Sequence, residues 1–202
     1  MPKLFLIRHG RTNLQMEDRY WGNTDIPLND TGIRQAEQIR DRLAAEKITH
    51  VYSSTLSRAR DTAKIIAAPH HRDVIACEEL GECNFGYVEG LTYDELKRLH
   101  PGLAEELGKM GAISFPGGES LSKFHTRVGT FLKQLEKHKP QDTIAIAAHG
   151  GSLRMLICHL LGLETKIWHR LRIDPASISV VDMYPGVSIL NSLNDTAHLA
   201  SD

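Results

Sequence analysis

Cysteine is scarce in this chain. The three present, Cys77, Cys83 and Cys158 in 202 residues, are odd in number and follow no metal-type spacing. That fits a reducing compartment, the cytoplasm, better than a disulfide framework. Net charge is nearly absent as well. Lys and Arg number 24 against 25 Asp and Glu, a balance of -1, so the chain lacks the basic field that nucleic acid or an anionic membrane surface requires. No apolar run is long enough to span a bilayer; the stretch 153–163 is interrupted by Arg154 and His159. The opening Met1 to His9 has too short an apolar run for a signal peptide and ends in charge. No carboxylates cluster at metal-ligand spacing. His70-His71 follow Pro69 in a turn and are not expected to bind metal, and Gly117-Gly118 lack the strand-to-helix setting of a nucleotide loop. No metal, cofactor, nucleic-acid or membrane partner is therefore expected. With 41% hydrophobic residues, 1–202 can form a single domain. Assembly is left open between monomer and homodimer.

What the sequence does have is an apolar run, Lys3 to Ile7, that ends in Arg8-His9-Gly10. A second run, Thr143 to Ala148, ends in His149-Gly150-Gly151. A strand ending this way delivers a cation and an imidazole to one point on a sheet edge, where the glycine allows a sharp turn. Arginine offers a planar fork to phosphate oxygens and imidazole can act as a nucleophile. Either histidine alone would equally suit a satisfied surface or core position. Two of them after apolar strands suggest a shared site, because ligands of parallel sheets gather at the carboxyl ends of the strands.

Between these runs the periodicity predicts further elements. Asn29-Asp30-Thr31 offer N-caps for a helix striped by Ile33, Ala36, Ile39, Leu43 and Ala44. His50 to Ser53 reads as a strand, Ser57 to Ala68 as a helix and Asp73 to Cys77 as a strand. Thr92 to Leu99 and Leu103 to Met110 are shorter helix candidates. Leu121, Phe124, Val128, Phe131, Leu132 and Leu135 make the best helical stripe. A helix over 151–162 follows, then strands over 178–183 and 187–190, then a polar tail, 191–202, expected to be loosely held. The expected fold is α/β: a three-layer sandwich with a mainly parallel sheet, helices on both faces and a helical cap insertion over roughly 85–140.

Taken in order, the blocks Arg8-His9-Gly10-Arg11-Thr12, Arg19-Tyr20-x-Gly22, Asp25-x-Pro27-Leu28, Gly32-x-x-Gln35-Ala36, Ser53-Ser54-x-Leu56-x-Arg58-Ala59-x-x-Thr62-Ala63, Leu80-x-Glu82, Phe85-Gly86-x-x-Glu89-Gly90, Pro116-Gly117-Gly118-Glu119-Ser120 and His149-Gly150 resemble the histidine phosphatase superfamily, which includes cofactor-dependent phosphoglycerate mutases. The Arg19-Tyr20-x-Gly22 segment and Ile167-Trp168-His169 look like its α-ribazole phosphatase branch. The resemblance implies His9 as the nucleophile that accepts a phosphoryl group, and Arg8 and Arg58 as phosphate clamps. It implies His149 as the second pocket histidine, opposing phosphoryl charge if protonated, and Glu82 as the acid that protonates the leaving group. Gly22 and Gly150 join the implied substrate-binding set. One departure stands out. Family members usually carry asparagine six residues after the first histidine, where this chain has Gln15, with Asn13 two residues earlier; either amide could reach a phosphate oxygen, or the contact is lost. Trp21 sits where a polar residue is common and could stack on a flat substrate or pack the loop.

The implied activity is a phosphomonoesterase acting on a small phosphorylated metabolite through a phosphohistidine, with α-ribazole 5'-phosphate as a candidate. A phosphoglycerate mutase-type transferase and a non-catalytic phospho-ligand-binding module are the alternatives.

Overall fold

Alternation along the first strand sets the layers. The computed structural model describes residues 2–13, 19–109 and 113–199. In strand β1 (Lys3–Arg8), Leu4 and Leu6 face one hydrophobic cluster while Phe5 and Ile7 face another. Strand β4 (Thr143–Ala148) repeats the pattern, with Ile144 and Ile146 on the first side and Ala145 and Ala147 on the second. A strand buried on both faces needs helices on both, and this one has them. Helices α1 (Asp30–Leu43) and α2 (Ser57–Ala67) close the Phe5 side through Ile39, Leu43, Ala63 and Ile66. Helices α5 (Leu121–Thr130) and α7 (Gly150–Leu161) close the Leu4 side through Phe124, Val128, Leu153 and Leu156.

The six-stranded sheet has the order β3-β2-β4-β1-β5-β6, with β2 spanning His50–Ser54, β3 Val74–Cys77, β5 Ile178–Tyr184 and β6 Val187–Asp195. The first four strands pair in parallel, and β5 and β6 add an antiparallel hairpin beside β1. The expected α/β sandwich with a mainly parallel sheet is the observed fold. No helix among the described residues is long and apolar enough to cross a membrane.

Between β3 and β4 lie helices α3 (Tyr93–Leu99), α4 (Pro101–Lys109), α5 and α6 (Leu132–Leu135). Within this segment Phe124, Val128 and Phe131 are fully buried in the main core, so its second half is a sheet-covering layer rather than a lid. Two expectations change. The stripe from Leu121 to Leu135 is not one helix: Phe131 N–H bonds to the Val128 carbonyl three residues back, tightening the turn between α5 and α6 while Phe131 stays buried. The polar tail is not loose as far as it is described. β6 continues to Asp195, which pairs with Ile178, and beyond it His198 Nε2 lies 2.9 Å from the Ala176 carbonyl. Its polarity reflects an edge strand with one face to solvent.

Candidate active site

Register brings the two histidines together. Arg8 pairs with Ala148 across β1 and β4, so the next residues, His9 and His149, leave the sheet side by side, their ring centroids 5.1 Å apart. Both are buried. His9 Nδ1 lies 2.8 Å from the Gly10 carbonyl, which fixes a proton on Nδ1 and leaves Nε2 with a lone pair. Gly10 has no positive φ. Its need for glycine is close approach, since a Cβ there would sit 2.3 Å from the Gly32 carbonyl at the start of α1.

Arg58, in the first turn of α2, is 3% exposed and held on three sides. Its Nη1 donates to the Thr24 carbonyl and its Nη2 to the Gly22 carbonyl, each at 2.8 Å, and its Nε donates to His149 Nδ1 at 3.2 Å. Gly22 thus supports the site through its backbone. Asp25 completes the loop by accepting from the Ser57 N–H and hydroxyl at the same helix start. The Arg58 bond also settles the His149 tautomer, because Nδ1 accepts and the proton sits on Nε2, a buried atom with no partner. Burial first, then the Arg58 charge, hold His149 well below the usual histidine range. His149, expected to oppose phosphoryl charge if protonated, is therefore held neutral in the free protein, with an N–H to donate. His9 is pushed down in the same way, by burial and then by Arg58 and Arg8. A neutral imidazole with a free lone pair is what nucleophilic attack requires.

Arg8 donates from Nη1 to the Ile173 carbonyl at 2.7 Å, while its Nε is buried without a partner. Burial lowers its pKa to about 10, so it keeps its charge at neutral pH. Glu82 enters from the loop after β3. Its Oε1 accepts from the Cys83 N–H and its Oε2 from the Gly151 N–H, both at 2.9 Å, the second at the amino end of α7. Gly151 is a residue that sequence reasoning missed as part of the site. A Cβ there would lie 2.2 Å from Glu82 Oε1, so only glycine lets the carboxyl seat on the helix.

Two cavities meet over these groups. The first, about 640 Å³, is lined by Arg8, His9, Thr12, Arg58 and Glu82 among others. The second, about 530 Å³, shares Arg8, Arg19, Trp21 and Glu82 with it and continues past Gly150 to Tyr20, Phe85, Phe115, Arg154 and Trp168. Trp21 borders both and packs over Gly90, where a Cβ would lie 3.3 Å from the indole. Asn13 is exposed and outside the lining of either cavity; Gln15 lies outside the described residues. Glu89 accepts from the Asn23 and Thr24 N–H groups and so braces the loop that holds Arg58. Arg154 was also missed. Its signal was a lone cation in an apolar helix, and its Nε is buried without a partner beside Trp168.

The arrangement gathers His9, Arg8, Arg58 and Glu82 around one space, with His149 behind them, a set of groups that suits transfer of a dianionic group. Comparison with known proteins agrees. Residues 4–196 match the model of the histidine phosphatase superfamily (branch 1). Phosphoserine phosphatase 1 of Hydrogenobacter thermophilus is 30% identical over 200 residues, covering 98% of this chain and 95% of its own. The α-ribazole phosphatase of Shigella flexneri superposes with a TM-score of 0.87 at 28% identity, covering 96% of both chains. A phosphoserine phosphatase mutant of Entamoeba histolytica, in complex with phosphoserine, gives 0.86 at 30% identity, covering 98% of this chain and all of that one. The chain belongs to branch 1 of the histidine phosphatase superfamily.

Proposed function

We propose that the protein is a phosphomonoesterase that hydrolyses a small phosphorylated metabolite through a phosphohistidine at His9. The observation that carries this reading is the neutral His9 imidazole, anchored through Nδ1 and bordering a cavity shared with Arg8 and Arg58. His9 Nε2 attacks phosphorus, the N–P bond forms and the ester P–O bond breaks. Arg8, Arg58 and the His149 N–H hold the non-reacting oxygens and take up the charge that grows on them. Glu82, carrying a proton, gives it to the departing alkoxide. Water then attacks the phosphohistidine, Glu82 takes the proton back, and inorganic phosphate leaves with His9 restored.

α-Ribazole 5'-phosphate remains a candidate substrate, supported by the likeness to an α-ribazole phosphatase and by the aromatic wall of Tyr20, Phe85, Phe115 and Trp168. A second reading has its own observation. Arg154 borders the same cavity with an Nε that has no partner among the described residues, which favours a leaving group that carries an anion, as the carboxylate of phosphoserine does. Cys77, Cys83 and Cys158 are free and buried, which supports a cytoplasmic location.

A substrate panel in EDTA tests the reading. p-Nitrophenyl phosphate, α-ribazole 5'-phosphate and phosphoserine should release phosphate, with one metabolite strongly preferred. Loss of all activity in EDTA, restored by Mg²⁺ or Zn²⁺, would point instead to a metallophosphatase. Interconversion of phosphoglycerates without phosphate release would favour the mutase alternative, and no turnover of any ester the binding module.

A further inference from the structure

A second pair of histidines occupies the opposite edge of the sheet. His50 opens β2, Asp142 immediately precedes β4, and His138 follows α6. Pairing of His50 with Ile144 aligns the amino ends of the two strands. The chain between α6 and β4 then brings the His138 ring edge-on to His50, centroids 4.3 Å apart at 64°. One ligand-type atom from each of His50, His138 and Asp142 lies within 4.8 Å of the other two.

Three features make this more than a stacked pair. His138 Nδ1 and Asp142 Oδ2 are 3.4 Å apart. That is long for a hydrogen bond, but it matches the roughly 3.4 Å edge between two ligands of a tetrahedral ion with bonds of about 2.0–2.1 Å. One ring nitrogen of each histidine is already engaged: His138 Nε2, remote from Asp142, lies 2.9 Å from the Tyr52 hydroxyl, and His50 Nδ1 lies 2.9 Å from Thr49 Oγ1. Donation of one ring N–H to such a partner leaves a lone pair on the other nitrogen, the arrangement found around metal-bound imidazoles. Charge is the third. The Asp142 side chain is 13% exposed; its Oδ2 accepts from the Lys139 N–H at 2.8 Å, its ion-pair partner is His138, and among the described residues no lysine or arginine side chain pairs with it.

We propose that His50, His138 and Asp142 form a binding site for a divalent transition cation, Zn²⁺ by its two-nitrogen, one-oxygen donor set, with a fourth position open to water. Carboxylate and imidazole donors in a tetrahedral cage suit Zn²⁺ better than Mg²⁺ or Ca²⁺, which want six or more oxygens. The site lies at the amino ends of β2 and β4, whereas His9 and His149 follow the carboxyl ends of β1 and β4, so its role is structural. It ties the return from α6 to the two strands that flank it.

The test uses the full chain stripped of metal with a chelator. Calorimetric titration with ZnCl₂ should show one saturable equivalent, and Co²⁺ in its place should give the visible bands of a four-coordinate centre. Saturating Zn²⁺ should raise Tm by several degrees. Asp142→Asn keeps the side-chain shape and His50→Gln removes one ligand at a strand end. Each should weaken that equivalent at least ~10-fold and abolish the rise in Tm. No saturable equivalent, or equal binding by wild type and both variants, overturns the proposal. Should a variant fail to fold, anomalous scattering from Zn²⁺-soaked wild-type crystals decides. A peak between the three side chains supports the site, and peaks only elsewhere overturn it.

Discussion

The carboxyl and amino edges of one sheet each bring two histidines together, and their surroundings give them opposite chemistry. At the carboxyl edge His9 and His149 sit among Arg8 and Arg58. Those cations oppose a metal ion and attract an anion, and burial together with them holds both imidazoles neutral. At the amino edge His50 and His138 face Asp142 with no arginine or lysine paired to it among the described residues, which reverses the preference. Residue type alone therefore does not decide what a histidine pair binds; the sign of the charge brought in by neighbouring elements does.

The largest expected effect comes from removing the proposed nucleophile. His9→Ala should lower kcat by about 10⁴-fold or more, the scale of losing an essential covalent step, and Zn²⁺ should not rescue it. Glu82→Gln should lower kcat by ~10²–10⁴ for esters with poor leaving groups and much less for p-nitrophenyl phosphate, provided phosphoryl transfer to His9 limits turnover or is followed in a single-turnover burst. Gly151→Ala should mimic that pattern, since its Cβ would displace the Glu82 carboxyl. A burst slowed equally for both leaving groups by Glu82→Gln would remove Glu82 from the acid role. Arg154→Gln should lower the ratio of kcat/KM for phosphoserine over p-nitrophenyl phosphate by ~10–100-fold, the scale of one charge-assisted hydrogen bond. An unchanged ratio would return the aromatic wall to first place.

The smallest effect is on stability. His9 and His149 have pKa values depressed by burial and by the arginines. Below pH ~6.5 the unfolded chain takes up protons that the native site refuses. Stability is fully present above that pH and falls as pH drops towards the folded pKa values, with a slope on the order of 1 kcal/mol per pH unit for each histidine. Urea unfolding between pH 7.5 and ~5 should show this decline, and His149→Asn should flatten it. A slope that does not change in that variant would mean His149 titrates alike in both states.

Legibility in the sequence followed how local each signal was. His9 and His149 could be read because each ends an apolar run, and the unbroken run of Leu4, Phe5, Leu6 and Ile7 suits a strand with helices on both faces. Arg58 and Glu82 were legible only as members of ordered blocks. Contacts made by backbone were invisible: the Gly22 and Thr24 carbonyls that hold Arg58, and the Ile173 carbonyl that holds Arg8, carry no side-chain signature. Arg154 was visible as an interruption of an apolar helix, but nothing local said which way that helix would turn it. His138 and Asp142 are four residues apart, but His50 joins them only through the pairing of β2 with β4, a long-range fact that no local spacing encodes. Tail residues Asn191 to Asp195 read as loose because they are mostly polar, as residues of an edge strand can be.

The central claim is that His9 carries the phosphoryl group, and it can be tested directly by trapping. Brief reaction with a radiolabelled phosphomonoester, stopped without acid, should leave label on the protein that is acid-labile, base-stable and located on His9 by mass spectrometry. Label on a serine or cysteine, or a His9→Ala variant that still turns over at the wild-type rate, would contradict the account.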